Sequence, residues 1–210
     1  MPNALSCSSW KLYVIIDRAA AKGRDLAELA RQAIKGGADV IQLRDKAAPL
    51  DALIQEGKRL ARVAEAAGVP LIINDSVDAA MACGADGVHL GQDDMPVAEA
   101  RRLLRPGMIV GKSTHNLQQA LTADQEAIDY LAVGPIYSTP TKPDYPFVGL
   151  DLIREVADQL VHPMVSIGGI DADKLPEVLA AGARCVAVVR AVCAAENPEL
   201  VARQLKHLLV

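Results

Sequence analysis

Eight short apolar runs rich in Val and Ile punctuate the chain: KLYVII (11–16), DVIQL (39–43), PLII (70–73), DGVHL (86–90), MIVG (108–111), DYLAV (129–133), PMVSI (163–167) and RCVAVV (184–189). Longer stretches lie between them, such as DLAELARQAIK, LDALIQEGKRLARVAEAA and NPELVARQLKHLL, with apolar residues every three or four positions. The longer stretches have the helical period, whereas the short runs suit strands buried on both faces. Strands alternating with helices predict an α/β protein with a helix-covered parallel sheet. Gly37-Ala38-Asp39, Gly84-Ala85-Asp86 and Gly182-Ala183-Arg184 each stand where a helix should end and a strand begin, glycine tolerating the left-handed turn. With eight such units and no composition break, the expected architecture is a single (β/α)8 TIM barrel over 1–210, with 1–10 an extension before the first strand.

A barrel of this kind places its chemistry on the loops after the strands. The unusual polar residues fall there, in QLRDK, ND, GQDD, KSTH, GPIYSTPTK and GGI, whereas the turns into the strands read plainly as GAD or GVP. Composition narrows the partner. A net charge of -4, from 22 basic and 26 acidic residues, gives no reason to expect nucleic acid or acidic lipid. No run of eighteen apolar residues occurs, and MPNALSCSSW lacks the form of a secretion signal, so no membrane partner is expected. Cys7, Cys83, Cys185 and Cys193 lack metal or disulfide spacing and fit buried thiols in a reducing, cytoplasmic setting. Small phosphorylated molecules are the expected partners, and a homo-oligomer is compatible with the sequence.

Gln42, Arg44 and Lys46 are spaced by two and project to one side for as long as the strand lasts, with Ile41 and Leu43 facing the helices. Two cations and an amide at the mouth suit phosphate. The competing reading is a structural Arg44 paired to a neighbour such as Asp45. Asn74 and Asp75 end the third strand, and Asp93 and Asp94 follow the fourth, so carboxylates should converge there. Mg2+ takes such a set, completing its shell with water and phosphate oxygens. The alternative is helix capping by each Asp. In GPIYSTPTKP (134–143), Thr139, Thr141 and Lys142 offer hydroxyls and a charge to an anion, and proline lowers the entropy cost of ordering the loop. Gly168-Gly169 and Val189-Arg190 lie where barrels bind phosphate through backbone amides. His89, inside a strand, reads as a satisfied interior histidine. His115 is a proton carrier or a polar loop residue, and Ser113 a hydrogen-bonding group rather than a nucleophile.

Taken in order, LYVIID, QLRDK, IIND, HLGQDD, GKSTH, GPIYSTPTK, SIGGI and VAVVRA resemble the thiamine-phosphate synthase family over residues 12 to 191. The resemblance implies a (β/α)8 barrel joining a pyrimidine, activated as its diphosphate, to a thiazole phosphate with release of pyrophosphate. It implies that Gln42, Leu43, Arg44, Asp45 and Lys46 with Asn74 and Lys142 hold the pyrimidine diphosphate, and that Ser113 contacts the pyrimidine. Asp75 and Asp94 bind Mg2+, and Thr139, Pro140, Thr141, Gly169, Val189 and Arg190 hold the thiazole phosphate. Arg44, Lys46, Ser113 and Lys142 form the implied catalytic set, acting in a dissociative step in which pyrophosphate leaves first. Two departures stand out: Ile16 where the family has Thr before Asp17, and Arg190 where some members have Ser. Rival readings are a thiazole tautomerase-like isomerase using His115 and a barrel that binds thiamine phosphate without turnover.

Overall fold

The computed structural model describes residues 7–139 and 146–210. Eight parallel strands, β1 (Leu12–Asp17), β2 (Val40–Arg44), β3 (Leu71–Asn74), β4 (Gly87–Leu90), β5 (Ile109–Thr114), β6 (Tyr130–Val133), β7 (Met164–Ile167) and β8 (Cys185–Val188), close in sequence order into a barrel. Around them run α1 (Arg18–Ala21), α2 (Leu26–Lys35), α3 (Leu50–Ala67), α4 (Val77–Cys83), α5 (Val97–Leu103), α6 (Leu117–Ala123), α7 (Gly149–Ala157), α8 (Leu175–Ala180), α9 (Arg190–Cys193) and α10 (Pro198–Leu208). The expected (β/α)8 barrel is therefore observed.

Strand alternation separates two cores. Val14, Ile16, Ile41, Leu43, Leu71 and Ile73 point outward and pack with the helices, all essentially inaccessible to solvent. Tyr13, Ile15, Val40, Ile72, Tyr130 and Ala132 fill the interior with Cys7 and Trp10. The Trp10 ring closes that interior, its centroid 5.9 Å from Tyr13 and 5.4 Å from Tyr130 in edge-on contacts. Aromatic pairs favour that arrangement, and the chain before β1 thus plugs the barrel. All four cysteines are buried and unpaired. Burial pushes the Cys193 thiol up to about 11, so it stays protonated and unreactive.

The plain-looking turns into the strands have a structural function that spacing did not reveal. Asp39 Oδ2 accepts the Lys11 and Leu12 amides at 2.8 and 2.9 Å, Asp86 Oδ2 the Leu71 amide at 2.8 Å, and Asp129 Oδ2 the Val110 amide at 2.7 Å. Each carboxylate satisfies the first free N–H of the preceding strand. Lys206 of α10 also binds Asp39, at 2.5 Å. Asp39→Ala strands those amides, and urea unfolding should show a loss of about 1–3 kcal/mol with turnover unchanged.

Candidate active site

The C-terminal ends of the strands open into a cavity of about 430 Å3. Gln42, Arg44, Asn74 and Ser113 line one part, and Thr139, Gly168, Gly169, Val189 and Arg190 another. Members of both groups expected from the sequence therefore share a single opening, whereas Lys46, Asp75 and Asp94 are not among the residues that line it.

Arg44 occupies the last position of β2, in register with Asp17 at the end of β1. Its guanidinium donates to Asp17 Oδ2, and Asp17 Oδ1 accepts the Ala20 amide at 2.8 Å, capping α1. Arg44 is thus paired to a carboxylate, as the competing reading had it, but to Asp17: Asp45 faces Arg18 instead, at 3.3 Å. Leu43 faces the helices, as the strand alternation led one to expect. Its side chain is sealed in the outer core and away from the cavity lining, which strand alternation requires beside inward Gln42 and Arg44. β2 stops at Arg44, so the placement of Lys46 does not follow from strand alternation; its ammonium stands 3.2 Å from Asp75.

Asp75 adopts a left-handed backbone, φ 64°, with its amide donating to His89 O at 2.8 Å. Few non-glycine residues take that conformation, Asp and Asn being the most tolerant. The Asp75 carboxyl stands near that of Asp94, whose charge acts on it. Burial, and then Asp94, hold the Asp75 carboxyl above the usual range, with Lys46 opposing. Neither aspartate caps a helix: Ser76 accepts the Ala79 amide at the start of α4, and the N-cap of α5 is Pro96, with no side-chain cap. Asp94 Oδ2 instead accepts the Gly91 amide at 2.6 Å, while Lys112 Nζ donates to Gly91 O at 2.7 Å. The loop bearing Asp94 is therefore held from both sides.

Two carboxylates near each other, one of them on a strained backbone, fit a divalent cation better than they fit each other. Among the described residues no three His, Cys, Asp or Glu side chains cluster as a metal site, so a cation held by this pair would need the rest of its shell from water and substrate oxygens. That is the habit of Mg2+.

On the far side the segment from Gly134 runs beside β7 and its loop, Ile136 N donating to Ile167 O at 2.8 Å and Tyr137 N to Gly168 O at 3.0 Å. A Cβ at Gly168 would lie 2.5 Å from Pro135 Cα, so that crossing requires glycine. Thr139 faces the cavity, whereas Pro140, Thr141 and Lys142 lie outside the described residues. Arg190, at the start of α9, is exposed and lines the opening. Ile16 points into the outer core, so the hydroxyl missing there is missing from outside the cavity.

His89 is satisfied within the barrel, as expected: Nδ1 lies 2.9 Å from the Tyr130 hydroxyl and Nε2 2.8 Å from Ser113 Oγ. His115 Nδ1 meets Gly134 O, and a carbonyl can only accept, so that nitrogen holds the ring hydrogen. Asp17, Tyr13 and Tyr130 were not singled out from the sequence. A hydroxyl-bearing aromatic inside an otherwise aliphatic strand is the available signal for the last two.

Fold and site together define a (β/α)8 barrel with a polar cavity at the C-terminal ends of its strands. The chain belongs to the thiamine monophosphate synthase family, whose model matches residues 12–192. It is 47% identical over 201 residues to the thiamine-phosphate synthase of Chloroflexus aurantiacus, covering 95% of this chain and 93% of that one. To the thiamine-phosphate synthase of Methanocella arvoryzae it is 45% identical, with 95% of each chain covered. The solved thiamine phosphate pyrophosphorylase from Pyrococcus furiosus superimposes with a TM-score of 0.88 at 36% identity over 96% of each chain. No described helix is long and apolar enough to cross a membrane.

Proposed function

We propose that this chain joins a pyrimidine carried on a methylene diphosphate to a thiazole phosphate, forming thiamine phosphate and pyrophosphate. The observation that carries this reading is the pair Asp75 and Asp94 beside Lys46, next in sequence to Asn74, which lines the cavity together with the loops at Thr139, Gly169 and Val189. One flank suits a diphosphate with its cation and the other a monophosphate. Asp75 and Asp94 would hold Mg2+, which supplies positive charge to the departing diphosphate oxygens.

In the proposed reaction the methylene C–O bond breaks with its electron pair leaving on pyrophosphate, and the thiazole nitrogen lone pair then forms the new C–N bond. Arg44, Lys46 and Lys142 gather positive charge where negative charge develops. Gln42 and Asn74 bind the pyrimidine diphosphate, and Ser113 orients its ring. Thr139, Pro140, Thr141, Gly169, Val189 and Arg190 anchor the thiazole phosphate, so that two tethered reactants meet in line. Leu43 and Asp45 contribute through backbone alone, given where their side chains lie.

The rivals have less support. The relatives named above are synthases, and the neighbouring aspartates have no use in a tautomerase-like isomerase or a silent barrel. The deciding experiment is coupled pyrophosphate release from the purified protein with Mg2+: release must require both substrates, and thiamine phosphate formation must match it. Binding without release would overturn the reading. His115, tethered through Nδ1 to Gly134 O, orders the loop. His115→Ala should therefore retain synthesis within about tenfold, the loss of one positioning hydrogen bond, whereas complete loss in a folded variant would make it the obligatory base.

A further inference from the structure

An unbroken chain of polar groups crosses the barrel interior along the cavity. Gln42 Nε2 donates to the Tyr13 hydroxyl at 2.7 Å, the Tyr13 and Tyr130 hydroxyls are 2.8 Å apart, Tyr130 reaches His89 Nδ1 at 2.9 Å, and His89 Nε2 reaches Ser113 Oγ at 2.8 Å. Five strands contribute one residue each. All five line the cavity; the first four are at most 7% exposed, and Ser113 is partly exposed.

Each link needs one hydrogen, and few arrangements supply them. Tyr13 accepts from Gln42, so its own hydrogen must go to Tyr130; otherwise a hydroxyl hydrogen 1% exposed has no acceptor. Tyr130 then gives its hydrogen to His89 Nδ1, because a hydrogen already on Nδ1 would leave that of Tyr130, fully buried, stranded in turn. An unmatched buried hydroxyl costs more than any one of these bonds contributes. A neutral imidazole accepting at Nδ1 carries its hydrogen on Nε2, and Ser113 Oγ must accept it.

Gly111 shows that the crossing has been given room. It lies in register between His89 and Tyr130, and a Cβ there would come within 2.2 Å of the Tyr130 ring and 2.4 Å of its hydroxyl. Any side chain at 111 would push Tyr130 off the line.

We propose that the chain Gln42–Tyr13–Tyr130–His89 is polarised in one direction, holds His89 as its Nε2–H tautomer, and thereby obliges Ser113 to present its own hydroxyl hydrogen to the cavity. Ser113 is then a donor, selective for a ring nitrogen with a free lone pair, and His89 and Tyr130 are positioning residues. The assignment of that ring to a pyrimidine rests on the function proposed above, but the direction of the chain does not.

Nitrogen-15 NMR of histidine-labelled full-length protein tests the direction without substrate, with the His89 signals identified by their loss in His89→Gln. The expected result is a neutral ring with hydrogen on Nε2 at pH 7. Hydrogen on Nδ1, which reverses every link, or a charged ring would overturn the proposal. In Tyr130→Phe, which keeps the ring that packs on Trp10, the Nε2–H preference should relax to a mixture. KM for the pyrimidine diphosphate should also rise roughly five- to tenfold, the scale of one net hydrogen bond, with KM for thiazole phosphate unchanged. An unchanged tautomer in that variant, or equal effects on both KM values, counts against the relay. Absence of any synthesis by the wild-type protein would remove the function while leaving the tautomer result to stand or fall alone.

Discussion

Asp75→Asn is expected to lower synthesis by about three orders of magnitude, the several kcal/mol of a lost metal contact, while making the metal-free fold more stable. The gain in stability follows from its surroundings. The Asp75 carboxyl is half-buried and near Asp94, which together disfavour its charge, and Lys46 at 3.2 Å offsets them. Asparagine removes the repulsion, keeps the size, and takes a left-handed backbone such as φ 64° as readily as aspartate. Thermal unfolding with chelator should show Tm a few degrees above wild type. Added Mg2+ should raise the wild-type Tm and leave the variant unmoved. A variant less stable than wild type without metal, or one that keeps full activity at low Mg2+, would show that the two carboxylates are not held apart for a cation. Strain maintained against stability is the signature of a site kept for function.

The parts that sequence pattern made visible were those governed by local period. Each strand is found within a few residues of its expected place, because a run such as YVII can satisfy its neighbours in only one way. β5 shows where the pattern thins: it runs to Thr114, past the apolar MIVG, because its polar residues find partners on adjacent elements. Lys112 reaches Gly91 O at 2.7 Å and Thr114 donates to Ala132 O at 3.0 Å. Arg44, Asn74, Asp75 and Asp94 were legible as candidate site residues because the ends of β2, β3 and β4 must be neighbours in any such barrel. Partners were not legible. The Arg44 contact depends on the register that sets Asp17 opposite it, and Tyr13 meets Tyr130 across 117 residues only because the barrel closes. The strain at Asp75 is equally hidden, since a side chain at that position is as consistent with a helix cap until the backbone angle is known.

Arg44→Met should show how far binding and folding share one residue. The guanidinium is mostly enclosed, and the Asp17 carboxylate it meets has a side chain only 3% exposed. Removing the cation leaves that carboxylate buried without its counter-charge, a change that costs about 3–5 kcal/mol. For a domain of this size that corresponds to a fall in Tm of roughly 6–20 °C. Loss of a positive charge from the diphosphate flank adds about a hundred- to thousandfold in kcat/KM, as for other groups that meet developing charge. Asp17→Asn combined with Arg44→Met separates the two effects. Asparagine still accepts the Ala20 amide and caps α1, so thermal stability should largely return, whereas activity should not, because the departing pyrophosphate still lacks its cation. If the double variant recovered synthesis along with stability, the guanidinium would be a structural counter-ion to Asp17 alone, and the charge at the diphosphate flank would rest on Lys46 and Lys142.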